Sequence, residues 1–139
     1  MKLVLAVSLF TVTVLAADPQ DDRQAFQGTW TIVERQKADS KEPVTAPTVV
    51  FAGDKYQIKA GDKVVEEGTF QVDGAKSPKL IEVAATAGMD KGKKWHGIYQ
   101  IEGDTLRAAV GPTDKDRPTK YDNPVEGVRT FVLKREPKK

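Results

Sequence analysis

Three times in this chain a Gly-Asp pair separates two short runs in which apolar and polar residues alternate: Ala52-Gly53-Asp54-Lys55, Ala60-Gly61-Asp62-Lys63 and Glu102-Gly103-Asp104-Thr105. Gly accepts the positive φ of tight hairpin turns, and Asp hydrogen-bonds locally to the backbone, so each pair reads as a hairpin joining antiparallel neighbours. Eight runs of strand length surround these and other turn signals: 28–36, 47–52, 55–60, 63–73, 79–85, 95–102, 104–110 and 127–135. Apolar residues keep a period of two within them: Trp30 and Ile32; Val49 and Phe51; Tyr56 and Ile58; Val64, Phe70 and Val72; Ile81 and Val83; Tyr99 and Ile101; Leu106, Ala108 and Val110; Phe131 and Leu133. Every strand thus has one apolar face. Eight such strands in a meander lose their edges by closing, so the expected fold is all-β, an eight-stranded antiparallel up-and-down barrel. Helix is limited to a short N-terminal turn around Asp22 to Phe26.

The first sixteen residues have another logic. Lys2 gives a positive start, and Leu3 to Leu15 follows without a charge, Gly or Pro, too short to span a bilayer as a helix. Val14-Leu15-Ala16 suits a signal peptidase, and the chain then turns polar at Ala17-Asp18-Pro19-Gln20-Asp21-Asp22-Arg23. Residues 1–16 are therefore expected to be a cleaved signal peptide. The alternative, a buried N-terminal strand, would not need thirteen uncharged residues ending in Ala-Ala. Removing 16 of 139 residues leaves 123, the size of one domain spanning 17–139.

Composition narrows the partners. The chain has no Cys, so neither a lipid anchor on a new N-terminal thiol nor a disulfide is available, and the core must supply the stability. No second apolar stretch reaches membrane-spanning length. With 22 Lys+Arg against 20 Asp+Glu, the charge balance is no nucleic-acid footprint, and the basic clusters at Lys91, Lys93, Lys94 and at Lys134, Arg135, Lys138, Lys139 are broken by Gly, Pro or acid. The expected product is a secreted or periplasmic monomer with neither membrane span nor lipid anchor.

Phe26-Gln27-Gly28-Thr29-Trp30 resembles the entry to the first strand of a lipocalin, where a Gly-x-Trp closes the barrel floor and an Arg of the last strand lies over the indole. Arg135 shares the inward phase of Phe131 and Leu133, so Gly28, Trp30 and Arg135 are expected to form this closure, the guanidinium gaining roughly 0.5–2 kcal/mol over the ring. A longer series falls in the order seen in one family. It comprises Phe51-Ala52-Gly53-Asp54-Lys55-Tyr56, Gly68-Thr69-Phe70, Pro78-Lys79-Leu80-Ile81, Gly97-Ile98-Tyr99, Gly103-Asp104-Thr105-Leu106-Arg107, Arg117-Pro118-Thr119 and Phe131-Val132-Leu133-Lys134-Arg135. With it the chain resembles the secreted, lipocalin-like domain of unknown function expanded in planctomycete bacteria. The resemblance implies a barrel and an exported compartment, and no reaction, cofactor or active site. Members often carry a Cys in the strand after the Gly-Asp-Thr-Leu turn, where this chain has Ala108 and Ala109.

The residues themselves assemble no catalytic constellation. His96 is the sole His and sits on the phase opposite Tyr99 and Ile101, which points it outward; a metal site wants several ligands. Ser40 and Ser77 lie in expected loops without a nucleophile-elbow context. Asp114-Lys115-Asp116 lacks the oxygen-rich pattern of a calcium loop. Glu34 and Glu66 share phase with Trp30/Ile32 and Gly68/Phe70, which places both carboxylates inside the barrel or at its rim. A buried carboxylate needs a partner, so a ligand meeting them would have a polar or cationic end. The alternative is rim carboxylates in water. Two loops, 84–94 and 111–127, are placed to form a mouth. In the second, Arg117 either belongs to a binding lid with Tyr121 or satisfies carbonyls at a strand end. The leading expectation is a barrel that binds or senses a small, mostly apolar molecule through Tyr56, Phe70 and Tyr99, with Glu34, Glu66, Arg117 and Tyr121 as further candidates and no metal or cofactor. The rival is a protein-interaction or inhibitor-type module, packed solid, that meets another exported protein through its loops. An enzyme is the least supported class.

Overall fold

The computed structural model describes residues 19–38, 40–41 and 45–137; the expected signal peptide lies outside them. The elements are α1 (Pro19–Phe26), β1 (Gly28–Lys37), β2 (Ser40–Lys41), β3 (Thr48–Ala52), β4 (Lys55–Ala60), β5 (Lys63–Asp73), β6 (Lys79–Gly88), β7 (Lys94–Glu102), β8 (Thr105–Pro112) and β9 (Arg129–Arg135). β1 and β3 to β9 pair in sequence order, and β9 returns to β1, closing an eight-strand antiparallel up-and-down barrel. β2 is a two-residue addition paired with Gln36 and Lys37, on the edge of β1 whose first half binds β3. The three Gly-Asp pairs are two-residue hairpin loops, with φ of 63°, 62° and 57° at Gly53, Gly61 and Gly103. Gly at the first loop position is what the twist-matched hairpin turn with one positive φ requires.

Three features depart from the period-two reading. β6 runs on to Gly88, so the expected 84–94 loop shrinks to a turn over 89–93 held by main-chain bonds from Ala85 N to Lys93 O and from Gly92 N to Ala85 O. The helix is longer than the expected turn; it begins at Pro19, whose missing N–H costs nothing in a first helical turn. Bulges also reset side-chain phase. In the β1–β9 ladder Ile32 faces Leu133 but Glu34 faces Val132, so Val33 is the extra residue. Glu34 therefore points outward into solvent, contrary to expectation, and Arg35, opposite Phe131, takes the inward phase. A second bulge at Val65 turns Val64 outward, where it is exposed.

Alternate turns define two ends. The end bearing α1 is the floor; the turns at 61–62 and 89–93 lie at the other end, the mouth, where the 113–128 loop also leaves β8 and enters β9. Aromatic side chains fill the floor half. Phe26, fully buried, enters from the C-terminus of α1, with its ring centroid 5.2 Å from Phe51, 5.3 Å from Phe70 and 5.0 Å from Tyr99. Trp30, Ile32, Leu106 and Leu133 complete this core. Complete burial of a side chain like Phe26 contributes roughly 1.5–3 kcal/mol, which ties the helix to the barrel as its plug.

Polar bonds seal the same end. The Trp30 indole Nε1 donates to Phe26 O at 2.7 Å, and the Arg135 guanidinium lies 4.2 Å from the Trp30 ring centroid. Arg135 also donates to Gln27 O at 2.9 Å and Ala25 O at 2.7 Å, carbonyls at the helix C-terminus that have no partner within the helix. Gly28, at φ 114°, lets the chain turn from helix to strand beneath that guanidinium.

Candidate functional site

The seven candidate binding residues separate into three places. Tyr56, Phe70 and Tyr99 point inward, yet at 4%, 1% and 1% exposure their surfaces are covered by other side chains. Tyr99 belongs to the floor: its hydroxyl donates to Asp22 Oδ2 at 2.5 Å, and Lys79 Nζ lies 3.0 Å from the same oxygen. Burial disfavours the charged form of Asp22, but the Tyr99 hydroxyl and the Lys79 ammonium outweigh it and hold the carboxyl below its usual range. Burial, then the Asp22 carboxylate, push the ionisation of Tyr99 far above its ordinary range, so it remains a donor.

Arg117 and Tyr121 lie on the outer wall. The 113–128 loop folds against β7 and β8 instead of rimming the mouth. Arg117 Nη1 donates to Gly97 O at 2.8 Å and Ile81 O at 3.2 Å, and its Nη2 lies 3.5 Å from Glu82 Oε1. This is the geometry of the carbonyl-satisfying reading of Arg117. His96, on the outward phase, donates from Nε2 to Lys115 O at 2.7 Å. Ile98 and Ala109 also occupy the outward phase, yet they are buried; with Val128 they form a thin apolar layer outside the barrel that sequence reasoning missed. The signal was Ile98, an apolar residue on the polar phase. Tyr121 is half-buried, which raises its hydroxyl pKa, while Arg107 pulls it the other way. A groove of about 320 Å³ lies along β5, β6 and β7, lined by residues of both phases, among them Thr69, Gln71, Glu82 and Lys94 together with Phe70, Val83 and Trp95.

Glu66 is the candidate that stands in the mouth half. It points inward at 9% exposure and accepts a 2.8 Å hydrogen bond from the Tyr56 hydroxyl. Tyr56 reaches it by lying over Gly68: a Cβ there would stand 2.7 Å from Tyr56 Cε1 and 2.1 Å from Ala84 O. From the 89–93 turn Asp90 shares a hydrogen bond with Glu66 and pairs with Lys93 at 3.3 Å; the Arg129 guanidinium lies close enough to favour both carboxylates. Burial and the hydrogen bond with Asp90 raise the Glu66 pKa from 4.5 to about 7, against the opposing pull of Tyr56. Asp90 is held below its usual range chiefly by the hydrogen bond from Glu66. Burial and the contact between the two carboxyls thus favour the protonated form of Glu66 and the ionised form of Asp90.

Around this pair the inward side chains are apolar but not sealed. Ile58, Val83, Val110 and Phe131 pack against the core and keep accessible surface, as does Trp95 on the inward phase opposite Val83. The mouth half thus brings partly exposed apolar side chains together with the buried Glu66 carboxyl.

A raised carboxyl pKa carries a definite sign. The folded chain holds a proton that the unfolded chain has released above about pH 4.5, so the contribution of Glu66 to stability is complete below that pH and is lost as pH rises through about 7. Glu66→Gln keeps an acceptor for Tyr56 and removes the titration. Thermal melts are expected to show the variant gaining on the parent between pH 5 and 8; parallel curves for parent and E66Q would contradict a buried Glu66 carboxyl with a raised pKa.

Among the described residues no group of three or more His, Cys, Asp or Glu is placed to hold a metal ion, and no helix is long and apolar enough to cross a membrane. Comparisons with protein families, with curated proteins and with solved structures found no match to this chain, so the reading of its site stands on the site's own geometry.

Proposed function

We propose that this chain is an exported, lipocalin-like barrel that binds or senses one small, mostly apolar molecule in the mouth half of its interior. The observation that carries the reading is Glu66, a buried, hydrogen-bonded carboxyl on the inner wall among the partly exposed apolar side chains of Ile58, Val83, Val110 and Phe131. A buried carboxyl adds little to stability and is costly when ionised, whereas pockets that orient a ligand combine apolar walls with a few placed polar groups. Export is supported by the Lys2 to Ala16 segment, and the compartment also follows from the resemblance to the secreted planctomycete domain. The filled floor half favours the rival, a solid module acting on another exported protein, and confines a ligand to the mouth.

Native mass spectrometry of the protein recovered intact from its own compartment tests both parts. The expected species begins at Ala17 and carries an adduct of a few hundred daltons that is lost on unfolding. A mass beginning at Met1 would contradict export; a bare barrel associated with a second polypeptide would favour the rival.

A further inference from the structure

We propose that the 89–93 turn is a pH-sensitive latch on the mouth, closed by a hydrogen bond from the protonated Glu66 carboxyl on β5 to Asp90 on the turn and released when Glu66 gives up that proton. The latch governs access to the mouth and goes beyond the reading of what the mouth binds.

Apart from that bond the turn rests lightly on β5. Gly88, at its base, pairs with Glu66 and has a φ of 98°; a Cβ there would stand 2.3 Å from Val65 O and 2.8 Å from Glu66 Cα, so glycine lets the chain leave β6 close against the Val65 bulge. The next main-chain bond to β5, from Met89 N to Val65 O, is long at 3.4 Å. The bonds from Lys91 N to Gly88 O, Lys93 N to Asp90 O and Gly92 N to Ala85 O lie within the hairpin and move with it. Side chains add no apolar anchor: Met89 is 89% exposed, and Asp90 is the one residue of 88–94 that is not exposed. Asp90 leaves solvent to meet Glu66, whose carboxyl is buried and also accepts from the Tyr56 hydroxyl.

The neighbouring charges set the direction. Lys93 pairs with Asp90 at 3.3 Å but sits in the same turn, so it steadies Asp90 without tying it to β5. Arg129, from β9, favours the ionised form of both carboxyls, and Tyr56, from β4, favours that of Glu66. Arg35 also faces the interior, from β1. Burial and Asp90 oppose Tyr56 and Arg129 and prevail, which places the Glu66 titration at about 7. Below that pH a proton joins the two carboxyls; above it two like charges meet in a partly buried site and repel. The closed turn therefore binds the proton more tightly than the open one, closure is complete in acid, and opening is favoured as pH rises through about 7. Each pKa unit that the latch contributes is worth roughly tenfold in the opening equilibrium.

The chain has no Cys, so a nitroxide on Met89→Cys labels the turn uniquely, and one on Asp62→Cys labels the neighbouring mouth turn as a control. Electron paramagnetic resonance line shapes are read between about pH 5 and about pH 9. The mobile fraction at Met89 is expected to rise roughly tenfold with a midpoint near 7, while the control label stays unchanged. Glu66→Gln, whose amide still donates to Asp90, should hold the label restrained throughout, and Asp90→Ala should leave it mobile throughout. Arg129→Gln should move the midpoint to higher pH. A flat Met89 label in the parent, a step that survives E66Q, a restrained label in D90A in acid, or an equal step in the control would overturn the latch. So would a label already mobile in acid in R129Q, which would make Arg129 the tie. No ligand enters this experiment, so its failure leaves the binding reading of the mouth to its own test.

Discussion

Gly97→Ala is expected to prevent the barrel from closing. Gly97 sits in the middle of β7, where a Cβ would stand 1.8 Å from Ala109 O and 2.8 Å from both Ala109 C and Val110 Cα. Every one of these is a main-chain atom of β8, so no side-chain rotation relieves the clash; the β7–β8 ladder must separate. Glycine marks the close backbone approach that a tightly coiled sheet needs to close. The expected cost is about 3 kcal/mol or more, read as an insoluble product or a melting temperature lowered by well over 10 °C. Gly103→Ala is the control. Gly103 has open space around it and a φ of 57°, so an alanine there should cost only about 1–2 kcal/mol of left-handed strain. Equal losses at the two positions would contradict the steric account.

Arg135→Met is expected to loosen the floor. Methionine keeps much of the aliphatic stem but loses the contact with the Trp30 ring and both hydrogen bonds to the C-terminal carbonyls of α1. Those carbonyls are then left without a donor where the helix meets the barrel. The sum is about 3 kcal/mol, on the order of 10 °C in a domain of this size, with Trp30 emission shifting to the red as water reaches it. Arg135→Lys should restore only part of this, because an ammonium group cannot stack on the indole and span two carbonyls at once. The ion pair of Arg135 with Asp104, whose side chain is 81% exposed, contributes little, so Asp104→Asn should stay within about 0.5 kcal/mol of the parent. A large loss from D104N, or full rescue by lysine, would move the stabilisation from the carbonyls to the ion pair.

What could be read in advance was what depends on local chemistry and unbroken alternation. The Gly-Asp turns and the apolar faces specify eight antiparallel neighbours, and closure follows because an open sheet would leave edges. Arg135 shares its phase with Leu133 across an uninterrupted strand, so its place over Trp30 was legible too. The mouth was not, and the reason is specific. Beyond Ile32, β1 reads Val33-Glu34-Arg35-Gln36-Lys37, with no apolar residue after Val33 to reveal that the phase has slipped. The bulge is dictated by pairing with β9, a tertiary fact, and it exchanges a carboxylate for a guanidinium on the inner wall. The 113–128 loop was misplaced for a related reason: its length suggested a lid, but Arg117 holds it against strand carbonyls that no local pattern announces. Phe26 as plug was within reach, since Asp22 and Phe26 stand four apart on one helix face and both enter the floor.

The account holds that one barrel has an aromatic, packed floor half and a mouth half that admits a ligand above Glu66, and methyl NMR tests that division directly. The methyl groups of Ile58, Val83 and Val110 line the mouth, and those of Ile32, Leu106 and Leu133 lie in the sealed core. On titration with dodecanoate the first set is expected to shift along one saturable curve at a single equivalent while the second set stays in place. Shifts centred on Leu106 and Leu133, or spread evenly over both sets, would contradict it.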